Sequence, residues 1–180
     1  LSVLELLPTS AFNMADISFD MALLPVLDDD SLKQLVAEKG WKVVFPIAGG
    51  SSLQLIRNQC RVKVHRDSFV QVLQSSDALL SMAGTATEQA AGLGKPVIQL
   101  PGNGPQFTLS FAEAQRRLLG PTIFCANGLV GEEQLLRNTG LIIINLVEKI
   151  KSDLVLQSEC KKQAKLRLGV EGGALRIAKE

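Results

Sequence analysis

The chain has 180 residues, 46% of them hydrophobic and 21% charged, and a formal net charge of +1. This is the composition of an ordinary globular domain with a core of its own, and it excludes a disordered chain. The near-neutral balance, the lack of Tyr and the single Trp exclude the basic face and aromatic platform expected of a nucleic-acid binder.

In chain order, Val3 to Leu7 reads as a first strand, closed by Pro8. Thr9 and Ser10 follow as helix-capping residue types, in a loop without Gly or Arg. Met14, Ile17, Met21 and Leu24 form a helical stripe over Phe12 to Leu24, ended by Pro25. Asp28-Asp29-Asp30-Ser31 stands before a second helix, Leu32 to Glu38. Acids favour a helix N-terminus, and a divalent metal site is the weaker reading of consecutive carboxylates. Gly40 stops that helix, and Trp41 to Ala48 reads as a strand. Gly49-Gly50-Ser51-Ser52 is either a phosphate-binding loop or a plain turn. Leu53 to Asn58 reads as a short helical or turn segment. Arg61 to His65 alternates charge with Val62 and Val64, as a strand does. Arg66-Asp67-Ser68 then starts a helix running to about Gln74. His65, the only histidine, has no Cys, His or acid at ligand spacing. Read by itself it is a surface loop residue, not a metal or triad residue.

The stretch Ser75 to Phe107, SSDALLSMAGTATEQAAGLGKPVIQLPGNGPQF, organises the rest. An apolar run (Ala78 to Met82), a turn at Gly84, an Ala-rich helix (Ala86 to Leu93) and a second apolar run (Pro96 to Leu100) make a βαβ unit with a parallel crossover. The turn brings unpaired N–H groups and a helix N-terminus to one point, which attracts a phosphate or pyrophosphate. Thr85-Ala86-Thr87-Glu88 has the S/T-x-x-E spacing of a capping box, with Thr85 as N-cap. Alternatively, Glu88 accepts hydrogen bonds from two adjacent hydroxyls, as on a ribose. Pro101 to Pro105 is a rigid turn at the C-terminal end of a parallel strand, where ligands of open α/β sheets bind. Gln106 is placed there to reach a sugar hydroxyl or a phosphate.

Ser110 to Leu119 reads as a helix with Phe111, Ala114 and Leu118 inward and Glu113, Arg116 and Arg117 outward. Thr122 to Ala126 reads as a strand and Gly131 to Arg137 as a helix. Leu141 to Lys149 fits either, because Ile142, Ile143 and Ile144 favour a strand while the position favours a helix. Asp153 to Leu168 is a basic helix with a solvated face, the membrane-surface reading being the weaker one. A short final helix is expected after Gly172-Gly173. Cys60, Cys125 and Cys160 are too scattered for a disulfide framework or metal site and fit a reducing compartment. The longest apolar run, Leu141 to Val147 broken by Asn145, is too short to span a bilayer. The chain opens on Leu1 without a signal or transit pattern and is expected to be part of something longer.

From Asp77 to about Gly120, through MAGTATEQAAGLGKPVIQLPGNGPQFTLSFAEAQRRLLG, the chain resembles the C-terminal half of the lipid-A-disaccharide-synthase-like proteins of cyanobacteria and plants. More distantly it is similar to the nucleotide-sugar-binding domain of GT-B glycosyltransferases, which pair two Rossmann-like domains. The resemblance implies an α/β fold, a Rossmann-like parallel sheet with flanking helices, with residues 1–180 forming one donor-binding domain. It also implies a strand between the two N-terminal helices; two helices in succession leave the sheet lacking one strand there. The implied activity is transfer of a hexosamine-type sugar from UDP to a lipid or glycolipid acceptor. The N–H groups of Gly84, Thr85, Ala86 and Thr87 would hold the pyrophosphate, Glu88 the ribose and Gln106 the donor sugar, while His65 and Phe69 would border the uracil. No metal or cofactor is implied, since the helix dipole serves the leaving group. Catalytic residues stay unassigned, because acceptor and base come largely from an N-terminal domain missing here. A cytoplasmic or plastid setting with peripheral membrane association is expected by resemblance. The family's glycine-containing loop after the first strand is replaced here by Pro8 to Ala11. Two alternatives stand beside this reading: a UDP-sugar 2-epimerase-like enzyme, poorly supplied by one histidine, and a degenerate non-catalytic nucleotide-binding or interaction domain.

Overall fold

The computed structural model describes residues 1–7, 17–45, 53–82, 84–104 and 108–169. The expectations for Thr9, Ser10, the start of the helix at Phe12, the loop Gly49 to Ser52, Gln106 and the final helix lie outside the described residues. Among the described residues the chain is α/β, with seven helices and seven strands. It divides into two compact units, Leu1–Ser76 and Asp77–Glu180. The boundary falls where the family resemblance begins.

Unit 1 is built on a mixed sheet. Strand β1 (Phe19–Leu23) runs parallel to β4 (Cys60–Arg66), which pairs antiparallel with β3 (Leu53–Arg57), and β3 with β2 (Lys42–Val44). This sheet is mixed; the parallel sheet expected from the sequence is that of unit 2. Phe19, Met21 and Leu23 alternate along β1 and lie opposite Val62, Val64 and Arg66. That period of two and the pairing partner override the helical spacing of Met21 and Leu24, so a strand stands where a helix was expected. The same reason turns Leu53 to Asn58 into a strand. Leu53 faces Val64 and Leu55 faces Val62, so the apolar residues of both strands share one face. Conversely, Val3 to Leu7 is not a strand. It starts as the short helix α1 (Ser2–Glu5), which buries Val3 and Leu4, and Leu7 is buried just after it. Helix α2 (Asp29–Ala37) begins three residues before the expected Leu32, with Asp28 as N-cap accepting the Ser31 N–H at 2.8 Å, so Asp29 and Asp30 lie inside its first turn. Helix α3 (Phe69–Ser75) closes the unit.

Unit 2 carries a parallel sheet in the order β5 (Leu79–Ser81), β6 (Val97–Gln99), β7 (Ile123–Cys125). Helix α4 (Thr85–Gly92) joins β5 to β6, which is the expected βαβ unit. It ends where Gly94 takes φ 69°, with Gly94 N–H on Ala91 O and Lys95 N–H on Ala90 O, a Schellman arrangement that residues with a Cβ resist. Helix α5 (Leu109–Leu119) follows, capped by the Thr108 hydroxyl on the Phe111 N–H at 3.2 Å. Its buried face is Ala112, Gln115 and Leu119, one residue round from the stripe expected from the sequence, and Leu118 points outward. Residues Glu133–Ile150 form one helix, α6, which settles the isoleucine run as helical. Leu135, Thr139, Ile143 and Leu146 make its buried stripe, and packing outweighs the β-branched preference. Helix α7 (Leu154–Leu168), capped by Asp153, packs on α4 and α5. Among the described residues no helix is long and apolar enough to cross a membrane.

Candidate functional site

The site is built on the turn between β5 and α4. Gly84 adopts φ 89°, a conformation side chains resist, and it serves as N-cap without any side-chain cap. The capping box is therefore not formed: Thr85 is already inside the helix and Glu88 stands exposed in its first turn. The threonine that ties the turn down is Thr87. It is fully buried, and its hydroxyl donates to Ser81 Oγ at 3.2 Å. This binds the first turn of α4 to the end of β5.

The four N–H groups expected to face an anion divide into two pairs. Gly84 N–H donates to Gln115 Oε1 at 3.2 Å, and Thr87 N–H to Gly84 O at 2.9 Å. The N–H groups of Thr85 and Ala86 have no hydrogen-bond partner among the described residues, and Thr85 is exposed. Two unpaired donors at the positive end of a helix dipole, with a solvent-facing carboxylate in the same first turn, are chemically suited to an anion bearing adjacent hydroxyls.

Behind the turn lies a polar group that sequence reasoning missed. Ser81, Gln99 and Cys125 are in register across the C-terminal ends of the three parallel strands. Gln99 is completely buried, and its Nε2 donates to Gln115 Oε1 at 2.6 Å. Gln115 in turn donates from Nε2 to Gly84 O at 3.4 Å, so it holds both the N–H and the C=O of the turn glycine. Gln99 Oε1 is the buried side-chain polar atom left without a partner among the described residues. The signal available in the sequence was the lone glutamine inside the apolar run Pro96 to Leu100.

A separate cavity of about 440 Å³ lies along β7, lined by Leu109, Glu113 and Arg116 of α5 and by Pro121, Phe124 and Cys125 among others. Glu113 receives hydrogen bonds from Arg116 at 2.8 Å and Arg117 at 3.2 Å, which pull its carboxyl down to about 2. Burial, aided by the Glu113 charge, pushes the Cys125 thiol up and leaves it a poor nucleophile.

The structure brings Gly84, Thr85, Ala86, Thr87 and Glu88 together on one turn of unit 2. His65 and Phe69 belong to unit 1. His65 Nε2 lies 2.7 Å from Asp20 Oδ1, an acid partner that no local spacing revealed, and Ser18 Oγ donates to the other Asp20 oxygen at 2.9 Å. Phe69 opens α3 and is half-buried. Gln106 lies outside the described residues. Asp28 is used as a cap and Asp29 pairs with Arg66 at 2.5 Å; among the described residues no group of three or more His, Cys, Asp or Glu could hold a metal ion. Comparison with models of known protein families, with curated proteins and with solved structures finds no match.

Proposed function

We propose that unit 2 binds a UDP-sugar and serves as the donor-binding part of a glycosyltransferase resembling lipid-A-disaccharide synthase, with a hexosamine-type sugar as cargo and a lipid or glycolipid as acceptor. The observation that carries this reading is the pair of N–H groups without a partner among the described residues, Thr85 and Ala86, opening α4 at the C-terminal edge of a parallel sheet, with Glu88 exposed in the same turn. The diphosphate takes the two donors. Charge developing on the departing UDP is met by donors and a dipole already in place. Glu88 accepts from the ribose hydroxyls. A cytoplasmic or plastid location at a membrane surface belongs to the same proposal.

The test is thermal unfolding with and without UDP. UDP raises the Tm of the chain, and Glu88→Ala abolishes the rise. An unchanged Tm with millimolar UDP would sink the reading. Acceptor and base are assigned to a domain outside this chain, so the purified chain releases no UDP from a UDP-sugar above the buffer rate.

A second reading, a non-catalytic module that uses the fold for interaction, is favoured by one contact. Gln115 Oε1 already occupies the Gly84 N–H, as a ligand oxygen would. The same titration separates the two, because a module of this kind gives no UDP-dependent shift.

A further inference from the structure

We infer that Gln99 is a specificity-determining residue of this site: its buried Oε1 selects a ligand that brings a hydrogen-bond donor, a sugar hydroxyl or N–H, beside its phosphate. The inference rests on reading unit 2 as a sugar-nucleotide site.

Gln99 ends the middle strand, between Ser81 and Cys125 in register. Its carboxamide is directed at the Gly84 turn, because its Nε2 and the Gly84 N–H share one acceptor, Gln115 Oε1, at 2.6 and 3.2 Å. The opposite end of the same carboxamide, Oε1, is buried and has no partner among the described residues. Buried polar atoms are nearly always satisfied, so an unpaired one on a carboxamide that is tied through Gln115 to the Gly84 turn needs an explanation.

Rotating the carboxamide does not supply one. It would set Gln99 Oε1 against Gln115 Oε1, two acceptors facing each other. Gln115 cannot rotate to compensate, since its oxygen meets the Gly84 N–H and its nitrogen meets the Gly84 C=O at 3.4 Å. The backbone of one glycine thus sets the sense of both side chains, and the unpaired atom is an acceptor.

Its missing partner must donate. An ionised phosphate only accepts and cannot fill the role, whereas a hexose hydroxyl or a hexosamine N–H can. A site with a buried polar group to satisfy rejects analogues that leave it unpaired. The site is therefore matched to the whole sugar nucleotide and not to the bare nucleoside diphosphate.

The experiment is calorimetric titration of the 180-residue chain with UDP, UDP-glucose, UDP-N-acetylglucosamine and singly deoxygenated UDP-glucoses. A UDP-hexose binds about tenfold tighter than UDP, and loss of one particular hydroxyl removes that advantage. Gln99→Met collapses the ratio between UDP-hexose and UDP. The deoxy-sugar series uses the unaltered chain, so it decides the matter even where Gln99→Met unfolds. If UDP binds but the hexose adds nothing, or every deoxy analogue matches its parent, the role of Gln99 is overturned while the nucleotide site stands. If Gln99→Met folds and keeps the ratio, it is overturned likewise. If UDP does not bind at all, both fall together.

Discussion

In unit 1 the buried Trp41 indole donates to Glu5 Oε1 at 2.8 Å, and Arg57 closes the other carboxylate oxygen at 2.6 Å. In unit 2 the equally buried Gln99 carboxamide has no partner for its oxygen among the described residues, and the same holds for the N–H groups of Thr85 and Ala86. The first arrangement is what a fold needs to hold itself together: each desolvated group meets a complementary one. The second leaves donors and an acceptor waiting at a sheet edge where α/β proteins receive ligands. The contrast separates polar groups satisfied within the fold from polar groups left open at the proposed site.

The sharpest way to break the contrast is Glu5→Ala. It strands the buried Trp41 N–H and takes the ion-pair partner from Arg57, which keeps its bond to Lys39 O, and lowers stability by about 3 kcal/mol in urea unfolding. The Glu5 carboxyl also carries a pH signature. Burial alone would raise it, but the hydrogen bonds from Trp41 and Arg57 and the Arg57 and Lys39 charges more than offset this and hold it below its ordinary value. Its contribution is present above that ordinary value and fades as pH falls through the folded one. Gln115→Leu comes next. It strips the acceptor from both Gly84 N–H and Gln99 Nε2, costs about 2 kcal/mol, and weakens the response to UDP by freeing the turn. Thr108→Ala removes the cap of the helix that carries Gln115 and costs about 1 kcal/mol, read by the same unfolding curve. The smallest effect belongs to Glu113→Gln on the surface of α5. With the Glu113 carboxyl lowered from 4.5 to about 2, its stabilisation is present above 4.5 and is lost as pH falls toward 2. The substitution removes that contribution, so stability falls slightly at neutral pH, is unchanged near pH 2, and the profile between them flattens.

What could be read from the sequence was local. The β5–α4–β6 unit follows from two apolar runs, a glycine turn and an Ala-rich segment that stops at Gly94, and all four signals lie within a short window. Where a partner strand decides, local reading fails. Phe19 to Leu23 and Leu53 to Arg57 become strands because β4 offers Val62 and Val64 in register, which no window around either segment contains. The site was legible in its backbone and not in its side chains. Gly84 was found because its turn needs a glycine. Gln115 was hidden because a hydrophobic stripe through Phe111 and Leu118 looks better than one through a glutamine, and only the Gly84 backbone and the Gln99 amide, both distant in sequence, repay turning that glutamine inward. The expected capping box failed for a related reason. With Gly84 taking the left-handed turn, the helix starts one residue early and carries Glu88 out of reach of its N-terminus.

Strands β3 and β4 are joined by Asn58 and Gln59 alone, with Asn58 at φ 53°, a conformation asparagine tolerates better than most residues. Their pairing closes a minimal loop, whereas β1 reaches β4 only after α2, β2 and β3 have intervened. Loop-closure entropy therefore makes the hairpin the early event of refolding and β1 the late arrival. In native-state hydrogen exchange, the amides of Phe19 to Leu23 would then be the first of that sheet to give up their protons.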